Sequence, residues 1–389
     1  MHWMKRLAAA LFGAAMLLPG AQPALAEEAD HPIKIGLVYN TSGHQAVLDV
    51  PSLKGARLAI RQINEDGGVL GRGLAPVEIP GDSVEATLQQ RMIEALEADR
   101  SIVGFLGLSN TDMVLAAATT AAAMDRVFLT SGATSPRLPG QVPEYLFLAC
   151  FGDNVQAAAA AEWAYKKKGA RSVTVLHDPD SVYTRLLRQY FETRFKELGG
   201  RIVASKTVDP RAEDLRVPTI EGADLVFLSA RTAEDAARVI NDMRIDGYAG
   251  PVLGGDGYDA TGVWAQHPDL TDIYFSTHAY IGMDNPNQEV REFMAAYEAA
   301  YPGEVPGAFA ALGYDAAGLM VAALKNAGHS DRGSIRQGLK QVRDYDGLTG
   351  TISFSAEGRI PSKSVTIMTV REGRQLFETE LMPESFPAP

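Results

Sequence analysis

The chain has 389 residues, 46% hydrophobic and 22% charged, fractions ordinary for globular proteins that exclude wholesale disorder, collagen-like repeats and low-complexity tracts. Its 36 Lys and Arg stand against 48 Asp and Glu, a formal charge of −12, so the basic footprint needed for nucleic acid or an anionic membrane surface is lacking. The single cysteine, Cys150, excludes an intramolecular disulfide, a Cys-based zinc cluster and an iron–sulfur site.

Residues 1–26 read as a secretory signal. Lys5 and Arg6 open it, residues 7–18 are apolar and uncharged, Pro19 and Gly20 break the run, and Ala24-Leu25-Ala26 offers the small residues a signal peptidase reads. A dozen apolar residues fall short of the ~20 that span a bilayer, and no cysteine follows the cleavage point to carry a lipid. The expectation is a periplasmic protein that is not a lipoprotein, with Cys150 a buried small hydrophobe.

Beyond the signal, strands and helices alternate. Residues 33–39 form a short apolar run that ends in Asn40-Thr41-Ser42-Gly43, a strand and its turn. Residues 53–64 carry apolar side chains at helical spacing (Leu53, Ala56, Ala59, Ile60, Ile63) and stop at Asp66-Gly67-Gly68. Strands at 77–79, 102–106 and 127–130 alternate with helices at 84–98 and 114–124. A second series follows: helix 155–168, strand 172–176, helix 183–198, strands 202–208 and 225–228, helix 233–245 and strand 252–253. Strands separated by helices of this length imply right-handed crossovers and parallel sheets covered on both faces. There are too many strands for one sheet, so the expected fold is α/β with two doubly wound parallel-sheet lobes. The last third completes both lobes, with helices at 288–301 and 312–327 and strands at 365–370 and 376–378. Crossings near 152, 279 and 360 assign residues 27–152 plus 280–360 to one lobe and 153–279 plus 361–389 to the other.

Open parallel sheets bind ligands at the carboxyl ends of their strands. In the first series those ends carry Ser109, Asn110 and Thr111, and then Thr130 to Pro136 with Gly132, Ala133 and Thr134. In the second they carry His177 and Asp178, Arg231, and Gly255-Asp256-Gly257. The hydroxyl-rich rim suits an anion, with Gly132 letting backbone amides approach; helix capping by Ser and Thr is the competing reading. Asp256 suits an ammonium group, against ordinary turn chemistry.

Two stretches carry a resemblance. Gly55-Ala56 with Ile63-Asn64-Glu65-Asp66-Gly67-Gly68-Val69-Leu70-Gly71, and Thr130-Ser131-Gly132-Ala133-Thr134-Ser135-Pro136-Arg137-Leu138, are similar to signatures of periplasmic solute-binding proteins of ABC importers, in particular the leucine/isoleucine/valine-binding family with its type I periplasmic binding fold. The resemblance implies that the lobes are joined by a three-stranded hinge with a ligand cleft between them, a binder that closes on an amino acid and delivers it to permease subunits of the inner membrane. It implies that Gly132, Ala133, Thr134 and either Ser109 or Thr111 hold the ligand carboxylate. Asp256 then holds the ammonium, Phe309 of Gly307-Ala308-Phe309 packs on the ligand, and Tyr183 lies near the cleft. Where the family carries an aromatic after the strand at 225–228 stands Arg231, open to Asp256, to Glu234 or to a second anionic group on the ligand. Leu48 replaces another aromatic, and the family's early disulfide is missing.

Enzymatic motifs are not found: no Gly-x-Ser-x-Gly, His-Glu-x-x-His, P-loop or early Gly-x-Gly-x-x-Gly. The seven histidines show no metal spacing, and His177-Asp178 reads as a turn before a catalytic fragment. The expectation is a monomeric, cofactor-free amino-acid binder. The alternatives are the same fold taking an amine-free carboxylate or small amide, or a ligand-presenting sensor.

Overall fold

The computed structural model describes residues 31–354 and 358–389; the expected signal, residues 1–26, lies outside them. The first series runs β1 (Ile33–Asn40), α1 (Ala46–Glu65), β2 (Leu74–Gly81), α2 (Glu85–Ala98), β3 (Ile102–Gly107), α3 (Thr111–Ala123), β4 (Val127–Thr130), the single turn α4 (Leu138–Gln141) and β5 (Leu146–Leu148). Its five strands pair in the order β2-β1-β3-β4-β5, parallel throughout. Alternation along β1 explains why both faces are covered. Ile33, Ile35, Leu37 and Tyr39 pack under α1, while Val38 joins Leu88 and Met92 of α2 and Val114 and Ala117 of α3.

The second series runs α5 (Asp153–Glu162, continued by a π-turn over Trp163–Lys167), β6 (Ser172–His177), α6 (Val182–Glu197), β7 (Arg201–Thr207), β8 (Leu225–Ser229), α7 (Ala233–Ile245), β9 (Val252–Gly254), a 3-10 turn (Asp256–Tyr258), α8 (Thr261–Trp264) and β10 (Ile273–Thr277). The chain then adds α9 (Gln288–Ala300), α10 (Ala308–Ala327), α11 (Arg332–Lys340), the hairpin β11 (Tyr345–Gly347) and β12 (Gly350–Ile352), and finally β13 (Val365–Arg371) and β14 (Arg374–Leu381).

The second sheet has the order β14-β13-β10-β9-β8-β6-β7. It is parallel from β7 to β10; β13 and β14 then finish it antiparallel. Val173, Val175 and Phe227 face α5 and α6, whereas Leu176, Val226 and Leu228 face α7. Phe191 of α6 stacks on Phe227 at 3.8 Å. Buried Glu162 of α5 receives Arg194 of α6 at 2.6 Å, which joins the two helices by charge as well as by packing.

The chain goes back to the first sheet with α10, which lies along α1. Their approach needs glycine: a Cβ on Gly55 would stand 1.8 Å from the Ala310 carbonyl oxygen, and one on Gly313 would stand 1.8 Å from that of Ser52. Helix α10 is the one long apolar helix among the described residues, but most of it is buried core. Helix α1 begins well before the expected residue 53. Pro51 sits inside it, where proline ordinarily disfavours helix, so the pattern there reads as loop. Cys150 is free and buried as expected, and burial pushes its thiol up.

Candidate functional site

One cavity joins the two rims. Gln45, Leu48, Ser109, Asn110, Thr134 and Phe309 line it from the first lobe, and Tyr183, Arg231, Asp256 and Gly257 from the second. Its free volume is about 20 Å³, room for little more than a water molecule, so the two rims stand close together. The lobes touch beside it: Val47 of α1 packs against the core on each side.

On the first-lobe side, Ser109 follows β3 and does not cap a helix. The Asn110 side chain caps α3, accepting from the N–H groups of Asp112 (3.0 Å) and Met113 (3.1 Å). Beneath, Asp49 of α1 accepts from the Asn40 N–H (3.0 Å) and side-chain amide (2.8 Å). Burial pushes the Asp49 carboxyl up to about 6, against hydrogen bonds from Asn40 and Ser109 that favour its charge.

Three expectations are corrected on this rim. Thr111 opens α3 with its hydroxyl buried, and it does not line the cavity. The amides of Gly132 and Ala133 are already spent: Gly132 N–H donates to the Leu108 carbonyl (3.1 Å) and Ala133 N–H to the Thr130 hydroxyl (3.1 Å). What Gly132 supplies is space, since a Cβ there would stand 2.9 Å from both Ser109 Oγ and the Phe309 ring. Groups that face the cavity from this rim include the hydroxyls of Ser109 and Thr134 and the side-chain amide of Gln45.

Across the cavity, Asp256 opens the 3-10 turn after β9 and is held on both oxygens. Oδ1 accepts from Tyr183 O–H (2.7 Å) and Gln156 Nε2 (3.0 Å), and Oδ2 meets His278 Nε2 at 3.0 Å. His278 stacks on Phe151 at 4.2 Å and meets the Phe309 ring edge-on at 5.8 Å. Burial holds its imidazole below the ordinary range. The neutral ring therefore carries its proton on Nε2, the nitrogen facing a carboxylate. Gln156 is saturated as well: Nε2 also donates to Asp153 Oδ1 (2.9 Å), and Oε1 accepts from Ser276 O–H (2.9 Å) and Asp256 N–H (3.3 Å).

Asp153, at the start of α5, is the second buried carboxyl of this network. Burial, then the neighbouring Asp256, push it up to about 8, although Thr134 and Gln156 hydrogen-bond it. At neutral pH it is chiefly a carboxylic acid, a donor beside the Thr134 hydroxyl.

Arg231 faces the cavity, and its partner is neither Asp256 nor Glu234. Its Nε lies 2.7 Å and its Nη2 3.3 Å from the two oxygens of Asp178. Asp178 also takes Arg211 Nη2 at 2.9 Å and the Asp180 N–H at 2.9 Å. Burial opposes the charge on Asp178, but the Asp180 N–H and the two arginines hold its carboxyl below the usual range. The His177-Asp178 turn is thus an anchor for arginines. Gln45, Asp153, Gln156 and His278 were not anticipated as site residues, and Asp178 was read as part of the second rim but not as the partner of Arg231. The spacing of Asp153 and Gln156 at a helix start, just after the first crossing, is the one sequence signal that bears on them. Among the described residues no group of three or more His, Cys, Asp or Glu side chains is placed to hold a metal ion.

Two parallel-sheet lobes with opposed polar rims around one cavity define a two-lobed solute-binding protein. The periplasmic binding protein family model matches residues 32–375, and the chain belongs to that family. It is 25% identical over 355 residues to a Leu/Ile/Val-binding protein homolog of Brucella melitensis, covering 88% of this chain and 92% of the other. Its fold matches the branched-chain amino acid transporter substrate binding protein LivJ of Streptococcus pneumoniae in complex with isoleucine, with TM-score 0.82, 27% identity and coverage of 90% and 100% of the two chains. The leucine binding protein LivK of Thermotoga maritima matches with TM-score 0.79, 25% identity and coverage of 90% and 99%.

Proposed function

We propose that this protein is the solute-binding component of an ABC importer and that its cleft takes an α-amino acid. The carrying observation is the opposition across one cavity of the Asp256 carboxylate, fixed by Tyr183, Gln156 and His278, and the hydroxyls of Ser109 and Thr134. A zwitterion presents an ammonium to the first and a carboxylate to the second, each then meeting a charge-assisted partner. Phe309 and Tyr183 supply apolar walls. Relatives named for leucine, isoleucine and valine, and a structural neighbour holding isoleucine, support the class.

In this reading the first 26 residues direct export and are removed, and the mature chain works as a periplasmic monomer, binding without catalysis and handing its solute to membrane permease subunits. The lobes hinge about the crossings near 152, 279 and 360, and a ligand that touches both rims draws them shut.

Thermal unfolding of the mature chain against amino acids and amine-free acids tests it. A ligand at ~100 times its Kd adds about 2.7 kcal/mol, a shift of several degrees. Asp256→Asn should weaken amino acids by tenfold or more and leave amine-free acids nearly unchanged. Equal losses for the two classes would retire Asp256 as the ammonium site.

A further inference from the structure

Two polar side chains in the cavity have unmet capacity. Arg231 pairs with Asp178 through Nη2, a hydrogen bond at 3.3 Å, and through Nε, an ion contact at 2.7 Å without hydrogen-bond alignment. Of its five N–H donors, those on Nη1 have no hydrogen-bond partner among the described residues, although the side chain lines the cavity. Gln45, from the opposite lobe, is 2% exposed and lines the same cavity. Its backbone is committed, N–H to Ser83 Oγ (3.1 Å) and carbonyl to the N–H groups of Leu48 and Asp49. Its side-chain amide makes no hydrogen bond to any described residue. Its polar atoms keep contact with solvent in the cavity, and a ligand that displaced that solvent without replacing its hydrogen bonds would leave a costly unpaired amide.

Both groups lie outside the hydrogen bonds that hold Asp256, and Leu48 lines the cavity with them. An aliphatic ligand side chain here would desolvate Arg231 and Gln45 and give neither a partner. An oxygen acceptor would satisfy both. We propose that the ligand is an α-amino acid whose side chain ends in an oxygen acceptor, an amide carbonyl or a carboxylate, received by Arg231 from one lobe and Gln45 from the other. The proposal rests on the amino-acid reading above and narrows it. Charge alone does not choose between the two oxygens. Asp178 lies between Arg231 and Arg211 at 2.7 and 2.9 Å, and Asp235 meets Arg211 at 3.3 Å, so the arginines are balanced by carboxylates.

The test is calorimetric titration of the mature chain with L-asparagine, L-glutamine, L-aspartate and L-glutamate against L-leucine, which has the branched shape of asparagine and aspartate without the polar atoms. Succinate and glutarate serve as amine-free acceptors. At least one acceptor-bearing amino acid should bind tenfold or more tighter than leucine, and the amide and acid arms identify which oxygen is taken. Arg231→Met and Gln45→Leu should each erase most of that preference, weakening the acceptor-bearing amino acid and strengthening leucine, whose side chain then desolvates no polar group. The Gln45 variant leaves the Asp178 ion pairs intact, so it remains informative if the arginine variant folds poorly. Leucine binding as tightly as the best acceptor, or a preference that survives both substitutions, would overturn the acceptor site and leave the amino-acid reading standing. Diacid binding without any amino acid, lost in Arg231→Met, would overturn the amino-acid reading instead and keep the acceptor site. Silence from every compound would overturn both.

Discussion

Asp259 of the second lobe faces the N-terminus of a helix of the first, in the place of a cap. Its carboxylate lies beside the start of α10, where the Ala308 N–H favours its charge, and the residue at the cap position, Gly307, has no side chain to take that role. Thr277 O–H holds the other oxygen at 2.5 Å. The fit is close, because a Cβ on Gly307 would stand 2.9 Å from Asp259 Oδ1. A free helix N-terminus carries unsatisfied N–H groups and the positive end of the helix dipole, so an aspartate reaching across the cleft favours the shut arrangement. Loss of such a cap costs ~0.5–2 kcal/mol. Asp259→Ala should therefore weaken ligand binding by roughly 2- to 30-fold, mainly through faster release, and expand the liganded protein in small-angle scattering. Unchanged affinity and unchanged radius would remove this contact from closure.

The acid of Asp153 ties ligand affinity to alkaline pH. With the carboxyl pushed up to about 8, the protonated form donates to Thr134, whose own hydrogen is then free for a ligand carboxylate. Ionised, Asp153 takes that hydrogen for itself and adds negative charge near the bound anion. The complex holds the proton more tightly than the free protein, so affinity should be level up to pH 7 and fall above about 8, by at most tenfold per pH unit for one proton. A ligand ammonium also begins to titrate in that range. Asp153→Asn, whose amide donates at every pH, isolates the effect: the variant should lose less affinity than the parent between pH 7 and 9. Parallel curves would show that Asp153 does not act through Thr134.

Gly132 keeps the cavity open. Alanine there would press on the Ser109 hydroxyl and the Phe309 ring, each at 2.9 Å, one a donor toward the ligand and the other an apolar wall. Gly132→Ala should cost tenfold or more in affinity, while the unliganded melting temperature changes by only a few degrees. Retained affinity would mean the ligand lies elsewhere in the cleft.

How much of this was readable in advance depends on whether the signal is local. Helix α7 begins where expected because Thr232 caps it, its hydroxyl accepting the Asp235 N–H at 3.2 Å, and its apolar spacing is regular. Ser109, Thr134, Arg231 and Asp256 stand at strand ends, where turn residues announce themselves and where open sheets place ligands. Gln156 and His278 gave no comparable notice. Gln156 reaches Asp256 from 100 positions away and Ser276 from 120, so its role exists only after the second lobe has folded. The partner of Arg231 was out of reach for the same reason, since Asp178 lies 53 positions earlier on a neighbouring strand end. Strand β5 has three residues, too short for a periodic pattern.

The hinge contains a buried cation whose titration has a defined sign. Lys363, just before β13, donates from Nζ to the Ala149 carbonyl at 3.3 Å and to the Thr349 hydroxyl. That hydroxyl donates to Asp315 of α10 at 2.6 Å, and Asp315 also accepts the N–H groups of Leu348 (2.8 Å) and Thr349 (2.9 Å). One lysine thus ties the chain after β5, the hairpin β11–β12 and α10. Burial lowers its ammonium to about 8, although Asp315 opposes the shift. The folded protein therefore releases this proton near pH 8, while the unfolded chain keeps it to ~10.4. Between those values the unfolded state binds more protons, so this group's contribution to stability rises with pH. Lys363→Met removes the charged hydrogen bonds and leaves Asp315 without its cation, a loss of ~1.5–3 kcal/mol. Urea denaturation from pH 7 to 10 should show the variant less stable throughout and lacking the rise that the parent shows above pH 8. A variant as stable as the parent, with the same pH slope, would show that Lys363 holds its proton equally in the folded and unfolded chains and is not shifted by burial.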